Sequence, residues 1–328
     1  MLEAETGVAP RRAKLVAAFA AVYLLWGSTY LAIRFGVETI PPFLMAGTRH
    51  LAAGLLLYLW TRARGGPRPQ ARHWGSAAVI GGLMLLGGNG LVTWAERRVP
   101  SGLAALIVAS VPIWMAVFEG IEKRARPGIA VIGGLLLGLA GIALLVVPGR
   151  FAGNGHVDPL GAAALVTAAL CWSAGSLYAR RAALPPSILT ATAMEMIAGG
   201  AWLWTAGLLF GEGSRLDLAA VSARSAISLG YLVVFGSLIG FSAYVWLLHA
   251  TTPARVSTYA YVNPIVAVVL GALFAGEAVT PRVVIAALVI VGAVVLIIAS
   301  RSRPAKKTAA VAAEASEAPL AAGAGGAS

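Results

Sequence analysis

Two charges stand alone in apolar surroundings: Arg49 within Pro42–Thr61 and Glu195 within Ser187–Gly211. A charge at the centre of a membrane helix costs roughly 2.5–3.5 kcal/mol on insertion scales, so each must face a partner, water or a ligand. Arg49 can grip an anionic group through its planar fork of donors. Glu195 can hold a cationic group or a proton. The two also suit each other as a structural ion pair, and residue type leaves both readings open.

Their spacing says more. Glu195 follows Arg49 by 146 residues, and the same offset relates Trp26 to Trp172, Leu31 to Leu177, Arg34 to Arg180 and Gly54 to Gly200. Further along the offset becomes 152: Gly88 to Gly240, Trp94 to Trp246, Pro112 to Pro264 and Val117 to Val269. The chain therefore reads as a duplication in which one loop of the second copy is six residues longer.

Other chemistries lack their residues. No Gly-Lys pair occurs, so there is no Walker A loop. His50, His73, His156 and His249 are scattered, and Cys171 is the only cysteine. No set of metal ligands or paired membrane acids emerges, so neither an enzyme nor a cofactor is expected.

The remaining candidates are aromatic or amidic. Trp26-Gly27-Ser28-Thr29-Tyr30 is matched by Trp172-Ser173-Ala174-Gly175-Ser176. The small residues fit a helix-packing seam and the aromatics fit a cavity wall; a helix has faces for both. Asn89 sits between two glycines, and Tyr259, Tyr261 and Asn263 precede Pro264. Pro112 and Pro264 each remove a donor and free the carbonyl four residues earlier, on Val108 and Ala260. They are read as helix breaks that serve a hinge, a cavity or packing. The candidate substrate lining is Trp26, Tyr30, Arg49, Asn89, Trp172, Glu195, Tyr244, Tyr259 and Asn263. Aromatic walls with a few polar anchors suit a small amphiphilic solute. Thr280-Pro281 reads as a helix start, with Glu277 near its positive end. Gly134-x-x-x-Gly138 and Gly236-x-x-x-Gly240 pack helices within one chain or in a homodimer.

Positioning these residues falls to long apolar stretches. Eight windows contain no Asp, Glu, Lys or Arg: Leu15–Ile33, Trp74–Ala95, Val99–Phe118, Pro127–Gly149, Pro159–Ala179, Ser225–Leu248, Val256–Gly276 and Val283–Ser300. The Arg49 and Glu195 stretches bring the expected crossings to ten, five in each copy. An odd number inverts the second copy, a plan used by many secondary transporters. The 328 residues are 59% hydrophobic and 12% charged, about half the charged share of a soluble domain. The net charge of +12 belongs to the loops and lipid headgroups, not to nucleic acid. With a cytoplasmic N-terminus, seventeen Lys and Arg fall in cytoplasmic segments and six in the opposite loops. Both termini are therefore expected inside. The expected divisions are a cytoplasmic segment 1–13, repeats at 14–149 and 159–300, an external linker 150–158, and a disordered cytoplasmic tail 301–328. The first helix is read as retained, because its residues recur in the sixth. Heavy use of Arg over Lys suits a GC-rich bacterial genome.

These residues resemble the EamA-type branch of the drug/metabolite transporter superfamily, and within it the YedA-like exporters. The resemblance rests on Trp26-Gly27-Ser28-Thr29-Tyr30, Ile33-Arg34, Gly36-Val37-Glu38, Pro41-Pro42, Met45-Ala46-Gly47, Gly88-Asn89-Gly90, Ala95-Glu96, Val99-Pro100-Ser101-Gly102 and Tyr259-Ala260-Tyr261-Val262-Asn263-Pro264. It covers residues ~14–300 and implies a basket of helices around a central cavity. It also implies a bacterial inner-membrane exporter of amino acids, other metabolites or drugs. The expectation is an all-α polytopic exporter in which a proton or counter-substrate can supply the coupling. An importer or exchanger on the same fold remains the alternative, as does a non-transporting lipid scramblase or assembly partner.

Overall fold

The computed structural model describes residues 8–66, 68–122, 124, 128–146, 158–251, 253–256 and 258–302. The expected linker 150–158, apart from Asp158, lies outside the described residues. So do most of the expected tail and the first seven residues. Among the described residues the chain is helical, with no strand.

The longer helices, in chain order, begin with α1 Arg12–Gly36, α2 Pro42–Ala63, α3 Ala71–Ala95, α4 Ser101–Glu122 and α5 Ile129–Val146. After the undescribed stretch come α6 Pro159–Ala179, α7 Ile188–Leu209, α8 Ala223–Leu248, α9 Tyr259–Ala275 and α10 Pro281–Ser302. Five of them, α1, α3, α4, α6 and α8, are long and apolar enough to cross a membrane by length and composition. α5, α9 and α10 hold shorter apolar runs. α2 and α7 are 22 residues each and carry the buried Arg49 and Glu195.

Local sequence sets the helix ends. Pro42 and Pro159 occupy first-turn positions, where a missing N–H costs nothing. Asp158, Ser187 and Ser222 accept from the exposed N–H groups of α6, α7 and α8. Thr280 does the same for α10. Gly276 ends α9 at φ 65°, a backbone that glycine adopts without a Cβ clash.

Three helices widen into π-helical turns: α1 at Ala21–Leu25, α3 at Gly81–Gly90 and α8 at Leu232–Phe241. The last two fall within one residue of the 152-residue offset. α4 breaks at Ala109–Ser110, just before Pro112. α9 instead runs through Pro264 without interruption, so the expected break is absent there.

Large apolar side chains face outward, among them Ile129 (89% exposed) and Leu209 (81%). Water would penalise such a surface and hydrocarbon would not. The interior is sealed by glycines at helix crossings. A Cβ on Gly54 would lie 2.9 Å from the Ile197 nitrogen and 3.0 Å from the Ala193 oxygen. A Cβ on Gly200 would lie 2.8 Å from the Leu51 nitrogen and 3.1 Å from the Gly47 oxygen. Only glycine lets α2 and α7 approach this closely.

Candidate functional site

α1 presents one face to an internal cavity. Trp26, Thr29, Tyr30 and Ile33 recur at helical spacing and line it. Gly27, on another face, packs against Val266 and the Asn263 carbonyl. The seam and the wall thus occupy different sides of the same helix. Opposite α1 the cavity is lined by Gly88, Asn89 and Val92 of α3, Val108 and Val111 of α4, and Ala168 and Trp172 of α6. Arg49 of α2 and Tyr259 and Asn263 of α9 complete it. The α4 break thus falls between two lining residues, Val108 and Val111.

The cavity is about 70 Å³. A water needs ~10–15 Å³ by the same measure, so several waters fit and a metabolite does not. Solute entry requires side chains or helices to move.

Arg49 is 4% exposed. Its Nε donates to Ser237 Oγ at 2.8 Å and its Nη1 to Asn89 Oδ1 at 3.4 Å. Gly236 gives it room, since a Cβ there would sit 2.7 Å from Nη2. Asn89 is itself placed by the widened α3, where Thr93 Oγ1 donates to its backbone carbonyl at 2.8 Å. The guanidinium is therefore aimed by two neutral partners. A buried cation with neutral hydrogen bonds keeps an uncompensated charge, the condition for receiving an anion.

Beside it stands an aromatic cluster. Trp26 meets Trp172 edge-on at 5.7 Å between ring centroids, Tyr244 at 4.9 Å and Tyr259 at 5.6 Å. Tyr244 meets Tyr259 at 5.8 Å. Trp26 Nε1 donates to the Gly236 carbonyl at 3.1 Å. Trp172 Nε1 has no hydrogen bond of normal geometry, although the Tyr244 and Tyr259 hydroxyls are near. Trp26 also rests on Gly240 and Trp172 on Gly88, at 2.6 and 3.0 Å from the Cβ those glycines lack. The end of the Asn263 amide faces the carbonyls of Val22, Tyr23 and Tyr259 at 3.1–3.3 Å, an arrangement that its nitrogen rather than its oxygen satisfies. Two of these belong to the widened turn of α1.

Seven of the nine residues expected from sequence line this one cavity: Trp26, Tyr30, Arg49, Asn89, Trp172, Tyr259 and Asn263. Tyr244 is 2% exposed and backs the aromatic wall from behind. Glu195 is buried at 4% exposure but does not line the cavity. No ion pair joins it to Arg49 among the described residues. The carboxylate whose field reaches Arg49 is Glu96. Glu277 was expected beside the start of α10, but it caps α4 instead. Ser101 N and Oγ donate to its Oε1 at 2.6 and 2.7 Å, and Gly102 N to its Oε2 at 2.9 Å.

The sequence reading did not name Thr29, Ile33, Val92, Val111 or Ala168 as lining residues, nor Ser237 as Arg49's partner. For Thr29, Ile33, Val92 and Ala168 the signal was present, since each lies three or four residues from a polar or aromatic residue already chosen; Val111 had no such neighbour. Ser237 carried no such signal, because its role depends on two helices meeting. Gly236 faces α1 and α2 and Gly240 faces α1 of the same chain, so this small-residue motif serves internal packing.

The EamA-like transporter family model matches twice, at residues 13–147 and 159–299. The chain belongs to this family. It is 43% identical over 288 residues to the uncharacterized inner membrane transporter YedA of Escherichia coli K12, covering 86% of this chain and 90% of YedA. The uncharacterized transporter YvbV of Bacillus subtilis is 24% identical, with 87% and 91% covered. A solved crystal structure aligns with a TM-score of 0.63 at 22% identity, covering 89% of this chain and 99% of the other. That likeness concerns fold. Membership of the family makes the chain a membrane transporter.

Proposed function

We propose that this chain is a multi-pass secondary transporter of a bacterial inner membrane that exports a small amphiphilic solute by alternating access. The solute class is amino acids, related metabolites or amphiphilic drugs. The observation that carries the reading is the cavity in which a buried arginine, held by neutral partners, stands beside an aromatic wall. An amphiphile with an anionic end and an apolar body complements both features. The inner-membrane setting rests on the name of the YedA relative together with the outward apolar surface.

The architecture we infer is ten crossings in two inverted five-helix repeats, with both termini cytoplasmic. Reciprocal contacts support it. Gly54 meets Ile197 and Ala193, and the residues 146 later and earlier meet in turn, Gly200 with Leu51 and Gly47. Trp26 rests on Gly240 while Trp172 rests on Gly88. A two-fold relation between antiparallel copies produces such exchanged pairs. Rocking of one copy against the other would then open the cavity to alternate faces.

The test is reconstitution of the purified chain into liposomes, with a panel of labelled amino acids and cationic dyes, with and without a proton gradient. Flux of at least one solute above empty vesicles is expected. Lipid flip-flop without solute flux would replace transport with the scramblase reading. Downhill uptake with no gradient-driven export would replace the exporter with an importer or exchanger.

A further inference from the structure

Glu96 is the residue after the last one of α3, and its side chain is fully buried. Neither carboxyl oxygen accepts a hydrogen bond of normal geometry. Arg34 of α1 is near: its Nη1 donates to the Glu96 backbone carbonyl at 3.2 Å, and its peptide N–H faces the carboxyl without meeting normal hydrogen-bond geometry. Tyr30 of α1, Arg49 of α2 and Glu277 from the α9–α10 connection also lie within electrostatic reach. The following residues offer no compensation: Arg97 and Arg98 are exposed, and Arg98 pairs with Asp158 at 3.1 Å.

Glu277 is in the opposite condition. Its carboxylate accepts three hydrogen bonds at the start of α4, where helix N–H groups favour negative charge. Gly271 of α9 makes room for it, since a Cβ there would lie 2.4 Å from Glu277 Oε2. The seam between α4 and α9 is equally tight at Gly102, where a Cβ would be 2.9 Å from the Val268 Cα. Of these two neighbouring carboxyls, the half-buried Glu277 is satisfied as an anion, whereas the fully buried Glu96 accepts no hydrogen bond of normal geometry. Two such groups do not both ionise without partners, and the group lacking donors is the one that keeps a proton.

We propose that Glu96 is the proton-carrying site of this transporter: neutral while the α4–α9 seam is closed, and releasing its proton to water when that seam opens. The step leaves the Glu96 carboxylate and a hydrated proton, and reclosure takes the proton back. Tyr30, a cavity wall residue, and Arg49 link the site to the solute cavity. This inference rests on the transporter reading and supplies its coupling group, a role for which the sequence offered Glu195 as one candidate.

The test is infrared difference spectroscopy on the full chain in lipid at about pH 7, comparing wild type with Glu96→Gln. Loss of a protonated-carboxyl C=O band in the variant is expected. Loss of carboxylate bands instead would overturn the proposal. Spin labels at Arg97→Cys and Val279→Cys, in a Cys171→Ala background, report the separation of the α3–α4 and α9–α10 connections that flank the seam. Their distance should lengthen as pH rises in wild-type Glu96 and lose that shift in Glu96→Gln. If Glu96→Gln does not fold, Glu96→Met serves as a second neutral variant for both readouts. A distance independent of pH in the wild-type background would also overturn the proposal. Neither readout needs solute flux. The band without flux in liposomes would sink the transport reading alone, and flux without the band would sink this site alone.

Discussion

Trp26 and Trp172 hold matched positions, and each rests on a glycine of the opposite half, yet their indole nitrogens fare differently. Trp26 Nε1 has the Gly236 carbonyl at 3.1 Å, whereas Trp172 Nε1 has no such partner. The same contrast recurs around Arg49. Its matched residue is Glu195, while Asn89 matches Phe241 and Ser237 matches Leu85. Tyr259 matches Ile107, and Tyr244 matches Val92. The crossing pair Gly54 and Gly200 has the same residue in both halves, and so do Trp26 and Trp172. The polar positions around the cavity have diverged. Duplication supplies the frame, and the cavity acquires chemical direction because the two copies no longer contribute equally.

The largest effect is expected at the shared crossing. Gly54→Leu and Gly200→Leu each force a side chain against backbone atoms less than 3 Å from the missing Cβ. Overpacking of this kind costs up to about 3 kcal/mol, and the two variants should lose similar melting temperature because their contacts are exchanged copies. Thermal unfolding in detergent checks it; a large loss at one position and none at the other would break the equivalence.

Arg49 tests the divergent side. Arg49→Met removes the cation without adding bulk, and a hydrogen bond to a charged group is worth ~2 kcal/mol, or ~30-fold in affinity. Flux of a solute bearing an anionic group should fall by about that factor in liposomes while the variant still inserts. Arg49→Lys should recover little, because a lysine cannot reach Ser237 and Asn89 as a planar fork. Full activity of Arg49→Met would remove Arg49 from solute recognition, and full activity of Arg49→Lys would show that the charge without the planar fork suffices.

The tryptophan pair sharpens the contrast further. Trp26→Phe leaves the Gly236 carbonyl without its donor and should cost ~1 kcal/mol of stability. Trp172→Phe breaks no bond of normal geometry and should cost less. Equal losses on chemical denaturation would contradict the asymmetry.

The smallest effect concerns Glu212, which follows α7 outside the helices. Burial raises its carboxyl above the usual range, against the N–H groups of Leu44 and Phe43, which lower it. A carboxyl with a raised folded value binds its proton more tightly when folded. Its contribution is therefore present at low pH and is lost as pH rises from the ordinary carboxylate range through the folded value. Glu212→Gln should flatten that part of the stability profile, and an unchanged slope would show that Glu212 does not titrate there.

Most helix positions were legible because apolar length is a strong signal. The window Pro159–Ala179 and helix α6 share both ends, and Trp74–Ala95 and α3 share their last residue. Cavity residues were legible where a polar or aromatic type stood out in an apolar helix, as with Asn89 and Asn263. What stayed hidden were relations between distant segments. Glu195 looked like Arg49's counterpart because it occupies the matched position. The packing instead brings Ser237 and Asn89 to Arg49. Glu96 was overlooked because a carboxylate next to two arginines at a helix end reads as a solvated loop residue. Pro264 read as a break by analogy with Pro112, whereas α9 continues through it.

The central claim is that solute passes through the cavity between the two halves. Ala168 lines that cavity and is 1% exposed, so Ala168→Trp would fill the space without touching Arg49's hydrogen bonds. The most direct measurement is solute flux in liposomes for wild type and for Ala168→Trp, with folding of both verified by size exclusion and circular dichroism. Flux of at least one panel solute through wild type and none through the folded, plugged variant is the predicted result. Wild-type rates through the plugged variant, or no flux for any solute through wild type, would contradict the account.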